Sequence, residues 1–194
     1  IVGSAVVGAS TREKMGRGGI RIGQSSNSQS FDGVLDDVRV WRTPKEAKFI
    51  ATSFKVDLEP TEGLVAMLKF DDPLDYGEDS SSFGNSAEEV SDKVEAVERN
   101  TAKTGGARFS GSSSAFVKLT QTETLSLTKA EFTTQMWVKR SRTHAKDPLI
   151  GHGTLAEAEA GFDVFIGFTE DDKFVFSISK TDYIELPGFG ADDA

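Results

Sequence analysis

Asp36 is the residue whose type and position first suggest chemistry. It lies in Val34-Leu35-Asp36-Asp37-Val38-Arg39-Val40-Trp41, a strand-like run. Side chains alternate faces along a strand, so Val34, Asp36, Val38 and Val40 share one face and Leu35, Asp37, Arg39 and Trp41 the other. If the valines face a core, Asp36 points inward near its edge. A buried carboxylate must be paired, hydrogen-bonded or bound to a cation. The other candidates carry less. His144 and His152 have no ligand-spaced neighbour and read as loop or surface residues. Gly16-Arg17-Gly18-Gly19 and Gly151-His152-Gly153 lack the helix and lysine of a phosphate loop. Trp41 and Trp137 could stack on sugars, although strand tryptophans of sandwiches usually pack in the core or at its rim.

The elements that must position these residues are short strands separated by Gly, Ser, Asn and Asp. They are Gly19–Gly23, Val34–Trp41, Leu64–Phe70, Ala115–Leu119, Phe132–Lys139, Phe162–Phe168 and Phe174–Ser179. Phe, Val, Ile and Thr dominate them, as strands prefer, and the spacing indicates a sandwich or barrel. The polar turn Asp171-Asp172-Lys173 predicts a hairpin between the last two. One short helix is signalled by Thr43-Pro44-Lys45-Glu46, with an N-cap hydroxyl, a proline at the first helical position and a capping-box glutamate. It is expected to run to about Thr52 and to dock Phe49 and Ile50. The stretch Glu88–Arg99 fits helix and strand, with loop and strand preferred. Leu155–Ala160 reads as a solvated loop or one helical turn.

Composition bounds the function. A chain of 194 residues with 37% hydrophobic and 27% charged residues fits one soluble sandwich. Cysteine is absent, which excludes disulfides, thiolate metal sites and cysteine nucleophiles. No apolar run approaches the ~18 residues of a membrane span, and Ile1-Val2-Gly3-Ser4 shows no signal peptide; an excised segment would read the same. The net charge of −9 disfavours nucleic acid. The charge is uneven: residues 1–55 hold nine Lys/Arg against five Asp/Glu, and the remainder 13 against 26. A basic head and an acidic tail could attract across a subunit contact; ordinary variation between sheet faces gives the same asymmetry.

Several segments together resemble laminin-G-like jelly rolls of the concanavalin A-like superfamily, which includes the pentraxins. Phe31-Asp32-Gly33-Val34-Leu35-Asp36-Asp37-Val38-Arg39-Val40-Trp41, followed by Thr43–Ile50, is similar to that fold's final strand and closing helix. Gly63–Asp71 resembles its opening strand and Asp79–Asn85 the Asp-Ser-Ser-Gly-Asn turn after it. Gly105–Ser112, Phe116–Leu119, Phe132–Lys139 and Pro148–Gly151 follow in family order.

The resemblance implies an all-β antiparallel jelly-roll sandwich with one short helix near 44–52. Closing elements precede opening ones, and the family's central Trp-His-His-like and Val-Asp-Gly segments are missing. The chain is therefore expected to hold the C-terminal part of one sandwich in 1–57, a linker in 58–62 and the N-terminal two-thirds of a second in 63–194. A circular permutant is the alternative. For Asp36 the resemblance implies calcium or a structural hydrogen-bond network, and Asp79 and Asn85 offer hard oxygens suited to Ca²⁺. The superfamily's laminarinase-like glycosidases use Glu-x-Asp-x-x-Glu on one strand, and Leu35-Asp36-Asp37-Val38-Arg39 lacks that spacing. The chain is thus expected to be non-catalytic: a repeated extracellular or cell-surface module in adhesion or filament assembly, with neighbouring copies or domains as partners. A carbohydrate-binding module of a larger enzyme or adhesin, calcium-dependent in one form, is the alternative.

Overall fold

A computed structural model describes residues 19–26, 29–54, 56–97, 105–127, 131–152, 164–177 and 183–186. The strands, in chain order, are β1 (Ile20–Ile22), β2 (Gln24–Ser26), β3 (Gln29–Ser30), β4 (Asp32–Trp41), β5 (Leu64–Leu68), β6 (Ala87–Val90) and β7 (Val94–Ala96). They continue with β8 (Ala107–Ser110), β9 (Val117–Leu119), β10 (Thr133–Arg140), β11 (Asp147–His152), β12 (Val164–Phe168), β13 (Phe174–Ser177) and β14 (Tyr183–Leu186). Among the described residues one helix, α1, spans Ala47–Ser53. Among the expected elements, the hairpin of β12 and β13 forms with Phe168 opposite Phe174. The ambiguous stretch is β6 and β7 over its described part. Leu155–Ala160 lies outside the described residues.

Two antiparallel sheets form a β-sandwich. One has seven strands in the order β14-β13-β12-β11-β1-β9-β6. The other runs β10-β4-β8-β7, and β5 joins β4 beyond the end of β8, on the edge opposite β10. Apolar side chains from the two inner faces meet between them: Ile20, Ile22, Val117, Leu119, Ile150 and Ile166 from the first, Leu35, Val38, Val40, Ala66, Leu68 and Phe109 from the second. Ten residues long and almost wholly buried, β4 needs partners on both edges, and these come from β5, β8 and β10. Likewise β1 sits between β9 and β11. Strands expected to close one sandwich and strands expected to open the next therefore share both sheets. Residues 58–62 connect β4 and α1 to β5 with contacts of their own: Leu58 packs against the cluster of Trp41, Leu64 and Met67, and Thr61 Oγ1 accepts the Trp41 indole N–H at 3.1 Å.

The alternation expected for Val34–Trp41 does not survive the chain's path. Asp37 has φ 51°, in the left-handed region, and the β10 register steps from Gln135↔Arg39 to Trp137↔Asp36. Three residues of β4 thus span two of β10, a bulge that exchanges the faces of the strand. Leu35 faces the core on one side of it, Val38 and Val40 on the other. Asp36 stands opposite Trp137 and so lies on the outer face, not inward beside the valines. Asp tolerates left-handed backbone better than most residues, so the acidic pair is where the strand can bulge.

The outer face of this sheet is covered by α1 and its flanks. Trp41, Leu64 and Met67 form a second small core there with Phe49 and Leu58, and the Trp41 and Phe49 rings meet edge-on at 5.8 Å. Ile50 docks as expected. The expected cap is not used: the helix begins after Glu46, which is extended (ψ 147°) and makes no side-chain cap. Residues 43–45 bond to β10 instead, with the Lys45 N–H donating to Thr133 Oγ1 and the Thr133 hydroxyl to the Thr43 carbonyl. Cross-strand ties thus outweigh a local capping box worth about 1 kcal/mol.

Candidate functional site

Asp79 and Asn85 are brought together, and their work is visible in their hydrogen bonds. Asp79 Oδ1 accepts the N–H groups of Met67 and Ser81, both at 2.8 Å; Oδ2 accepts the Ser81 hydroxyl at 2.7 Å and the Asn85 N–H at 2.6 Å. The Ser80 N–H donates to the Met67 carbonyl, and the Asn85 amide to the Val65 carbonyl. Val65 and Met67 present those groups on the edge of β5 turned away from β4. The turn therefore closes an open strand edge, the place where sheets otherwise recruit another chain. Asn85 Oδ1 accepts from the hydroxyls of Thr122 and Thr124, extending the ties to the 122–125 segment. Both Asp79 oxygens already face N–H and O–H donors, so a cation here would have to displace four hydrogen bonds. That donor set makes the turn an edge clamp on β5.

Asp36 is placed apart from this pair, on β4, where it accepts the Asp37 N–H at 3.0 Å. Gly106, at φ 82°, lets the chain pass beside it: a Cβ there would stand 3.1 Å from the Asp36 Cβ. Next to it, Arg39 is buried on the outer face and bridges β4 to the end of α1. It donates to the carbonyls of Ser53 and Val56 at 2.8 and 3.1 Å and to Gln135 Oε1 at 3.3 Å, and pairs with Asp37 at 3.2 Å. Burial pushes the Asp37 carboxyl above its ordinary range, against the pull of Arg39 and with help from Asp71 and Asp57. Among the described residues no three His, Cys, Asp or Glu side chains converge to hold a metal.

The most heavily charged centre escaped the sequence reading. Asp147, fully buried at the start of β11, is held by two arginines. Arg140 Nε and Nη2 both lie 3.0 Å from Oδ2, and Arg142 Nε and Nη2 lie 3.0 and 2.9 Å from Oδ1. Arg142 also donates to the Ser30 carbonyl at 2.6 Å. Arg140 reaches on to Asp172 at 2.8 Å and lies over the Phe168 ring at 4.3 Å. Asp172 in turn accepts the His144 N–H at 2.8 Å and pairs with His144 Nδ1 at 3.1 Å. Burial raises the Asp172 carboxyl, but the His144 N–H and Arg140 outweigh it, and the group is held below its ordinary range. The cluster clamps the β10–β11 turn to the β12–β13 turn and to β3. Its only advance sign is Arg140-Ser141-Arg142 five residues before Asp147, around a turn. A carboxylate ringed by guanidinium groups is poised for neither proton transfer nor nucleophilic attack.

The two tryptophans part company. Trp41 is core, whereas Trp137 is 37% exposed, on the outer face of β10. Phe54 meets it edge-on at 5.3 Å. His144 is an exposed turn residue, as expected. The strand that carries Trp137 also borders the least-covered part of the core. The core-facing Phe132, Met136 and Val138 of this flank, with Phe168 and Phe174 below, are only partly buried, while Leu35, Val38 and Val40 on central β4 are at most 1% exposed. Among the described residues, β10 pairs with β4 alone. No helix among them is long and apolar enough to cross a membrane. Comparisons with protein-family models, curated proteins and solved structures find no match to this chain, so the likeness to laminin-G-like domains rests on its sequence motifs alone.

Proposed function

We propose that the chain is a non-catalytic β-sandwich module, of jelly-roll type, that works by joining neighbouring copies or domains in an extracellular or cell-surface assembly. The observation that supports this most is the flank at β10. Among the described residues, an eight-residue strand has one edge without a partner strand there, beside apolar side chains that the core leaves half-covered. Natural sheets cover, shorten or charge their edges, and β5 in the same sheet is covered. The buried carboxylates support a non-catalytic role, since Asp79 and Asp147 are committed to hydrogen bonds and ion pairs that hold the fold. The test is the mass of the purified chain against concentration, by sedimentation equilibrium. Reversible self-association in the micromolar range is expected, and a monomer at every concentration up to about 1 mM would overturn the reading.

A second reading, carbohydrate recognition, is favoured by one observation: Trp137 is exposed and its ring is oriented by Phe54. A flat, fixed indole is a stacking surface for a sugar ring. Glycan-array binding lost in Trp137→Ala would support it, and repeating the array with a chelator would show whether calcium takes part. An array blank with and without calcium would dismiss it.

A further inference from the structure

We infer that the partner at the β10 edge is a second copy of this chain, joined β10 to β10 about a two-fold axis through Trp137. This rests on the assembly reading above and adds the partner, the register and the symmetry.

Thr133-Thr134-Gln135-Met136-Trp137-Val138 is uncharged, free of Pro and Gly and rich in strand-forming residues, so nothing in it repels another strand. The sheet's other exposed edges are short: β7 has three residues and β5 five, the latter closed by the 79–85 turn. β6, at the end of the seven-stranded sheet, is short and acidic, with Glu88 and Glu89 exposed. Among the described residues, the uncharged six-residue run 133–138 of β10 is therefore the longest edge segment left without a guard, ahead of the four-residue β14 at the far end of the seven-stranded sheet.

Self-pairing of this edge is restricted by geometry. A two-fold axis normal to the sheet keeps inner faces on one side, so each residue must meet one of its own parity. Centred on Trp137, the pairing sets Met136 against Val138 twice on the core side, closing two half-covered flanks on each other. On the outer side the two exposed indoles meet at the axis. Lys139 then faces Gln135 and Arg140 faces Thr134, so no like charges stand opposed. The same strand serves as donor and acceptor, which closes the assembly at two copies along this edge.

The absence of cysteine makes the register directly testable. Directly opposed strand residues have Cβ atoms about 4.5–5.5 Å apart, near disulfide reach. Under mild oxidation Trp137→Cys should give a covalent dimer at least tenfold faster than Leu74→Cys, whose side chain is 93% exposed but remote from β10. Trp137→Lys, which sets two lysines on the axis, should sediment as a folded monomer by circular dichroism, while Glu88→Lys should keep the parental mass. If the parent associates but Trp137→Cys links no faster than Leu74→Cys and Trp137→Lys keeps the parental mass, the β10 pairing is wrong and the assembly reading stands. If the parent never associates, both fall.

Discussion

Removing the Asp79 carboxylate tests whether the 79–85 turn is an edge clamp or a cation site. In Asp79→Ala the buried N–H groups of Met67 and Asn85 lose their acceptor, as do the half-buried Ser81 N–H and its hydroxyl. A buried donor left unpaired costs about 1–3 kcal/mol. Asp79 is 8% exposed, so water can refill part of the gap. Two such donors give a loss of about 3 kcal/mol, a large share of the ~5–15 kcal/mol typical of a domain. At this chain length that lowers Tm by roughly 6–12 °C. Asp79→Asn should lose less. Its remaining oxygen can serve Met67 and Ser81, and its amide can donate to the Ser81 hydroxyl, leaving only the Asn85 N–H unpaired at about 1–2 kcal/mol. Urea unfolding followed by circular dichroism, with and without a chelator, reads both. Losses below 1 kcal/mol in both variants would refute the clamp. So would a chelator that lowers the parent to the level of Asp79→Ala, because the energy would then reside in a bound cation.

Gly23→Ala should unfold the chain or cost several kcal/mol: Gly23 has φ 79°, and a Cβ there would fall 2.3 Å from the Phe109 ring, so thermal melting of Gly84→Ala, where φ is 65° but a Cβ meets nothing within 4 Å, is the milder comparison. Arg39→Lys should cost about 2–4 kcal/mol in chemical unfolding, because a single ammonium cannot reach the Ser53 and Val56 carbonyls, Gln135 and Asp37 together. Because the Asp172 carboxyl is held below its ordinary range when folded, it stabilises the fold above that range and loses this progressively as pH falls from that range through the lowered folded-state value. Stability measured from pH 6 to pH 3 should therefore fall less steeply in Asp172→Asn than in the parent.

The sequence showed the strands and the helix better than it showed how they meet. Alternating Phe, Val and Ile identified β4, β10, β12 and β13, and the Asp-Asp-Lys turn identified a hairpin, because those signals are local. The partners of β4 are set by core shape across about a hundred residues, and no local pattern records them. The face of Asp36 was misread because a bulge depends on one left-handed residue, and Asp37 gives no sign of it without its partner strand. The helix cap at Thr43 was misread for a related reason: Thr133, ninety residues away in sequence, competes for the same backbone. For the candidate site, Asp79 and Asn85 were legible as a polar turn, but their partner, the free edge of β5, was not. Asp147 stayed hidden because an acid beside two arginines in a sequence resembles any solvated turn.

β4 also imposes an order of events. It is synthesised before all three strands that flank it, which emerge one after another: β5, then β8, then β10, whose Gln135 lies opposite Arg39 across 96 residues. At typical translation rates of ~5–20 residues per second, the gap before β10 lasts on the order of 5–20 s. During that time a nascent Val-Leu/Val-Arg-Val-Trp strand has hydrophobic residues on both faces and open hydrogen-bonding edges. The Asp36-Asp37 pair and Arg39, set among the apolar residues, are charges that hinder premature strand stacking, and in the finished sheet the same residues make the bulge and the bridge to α1. Their first service to the chain is then a kinetic one, performed while the sandwich is still half-made.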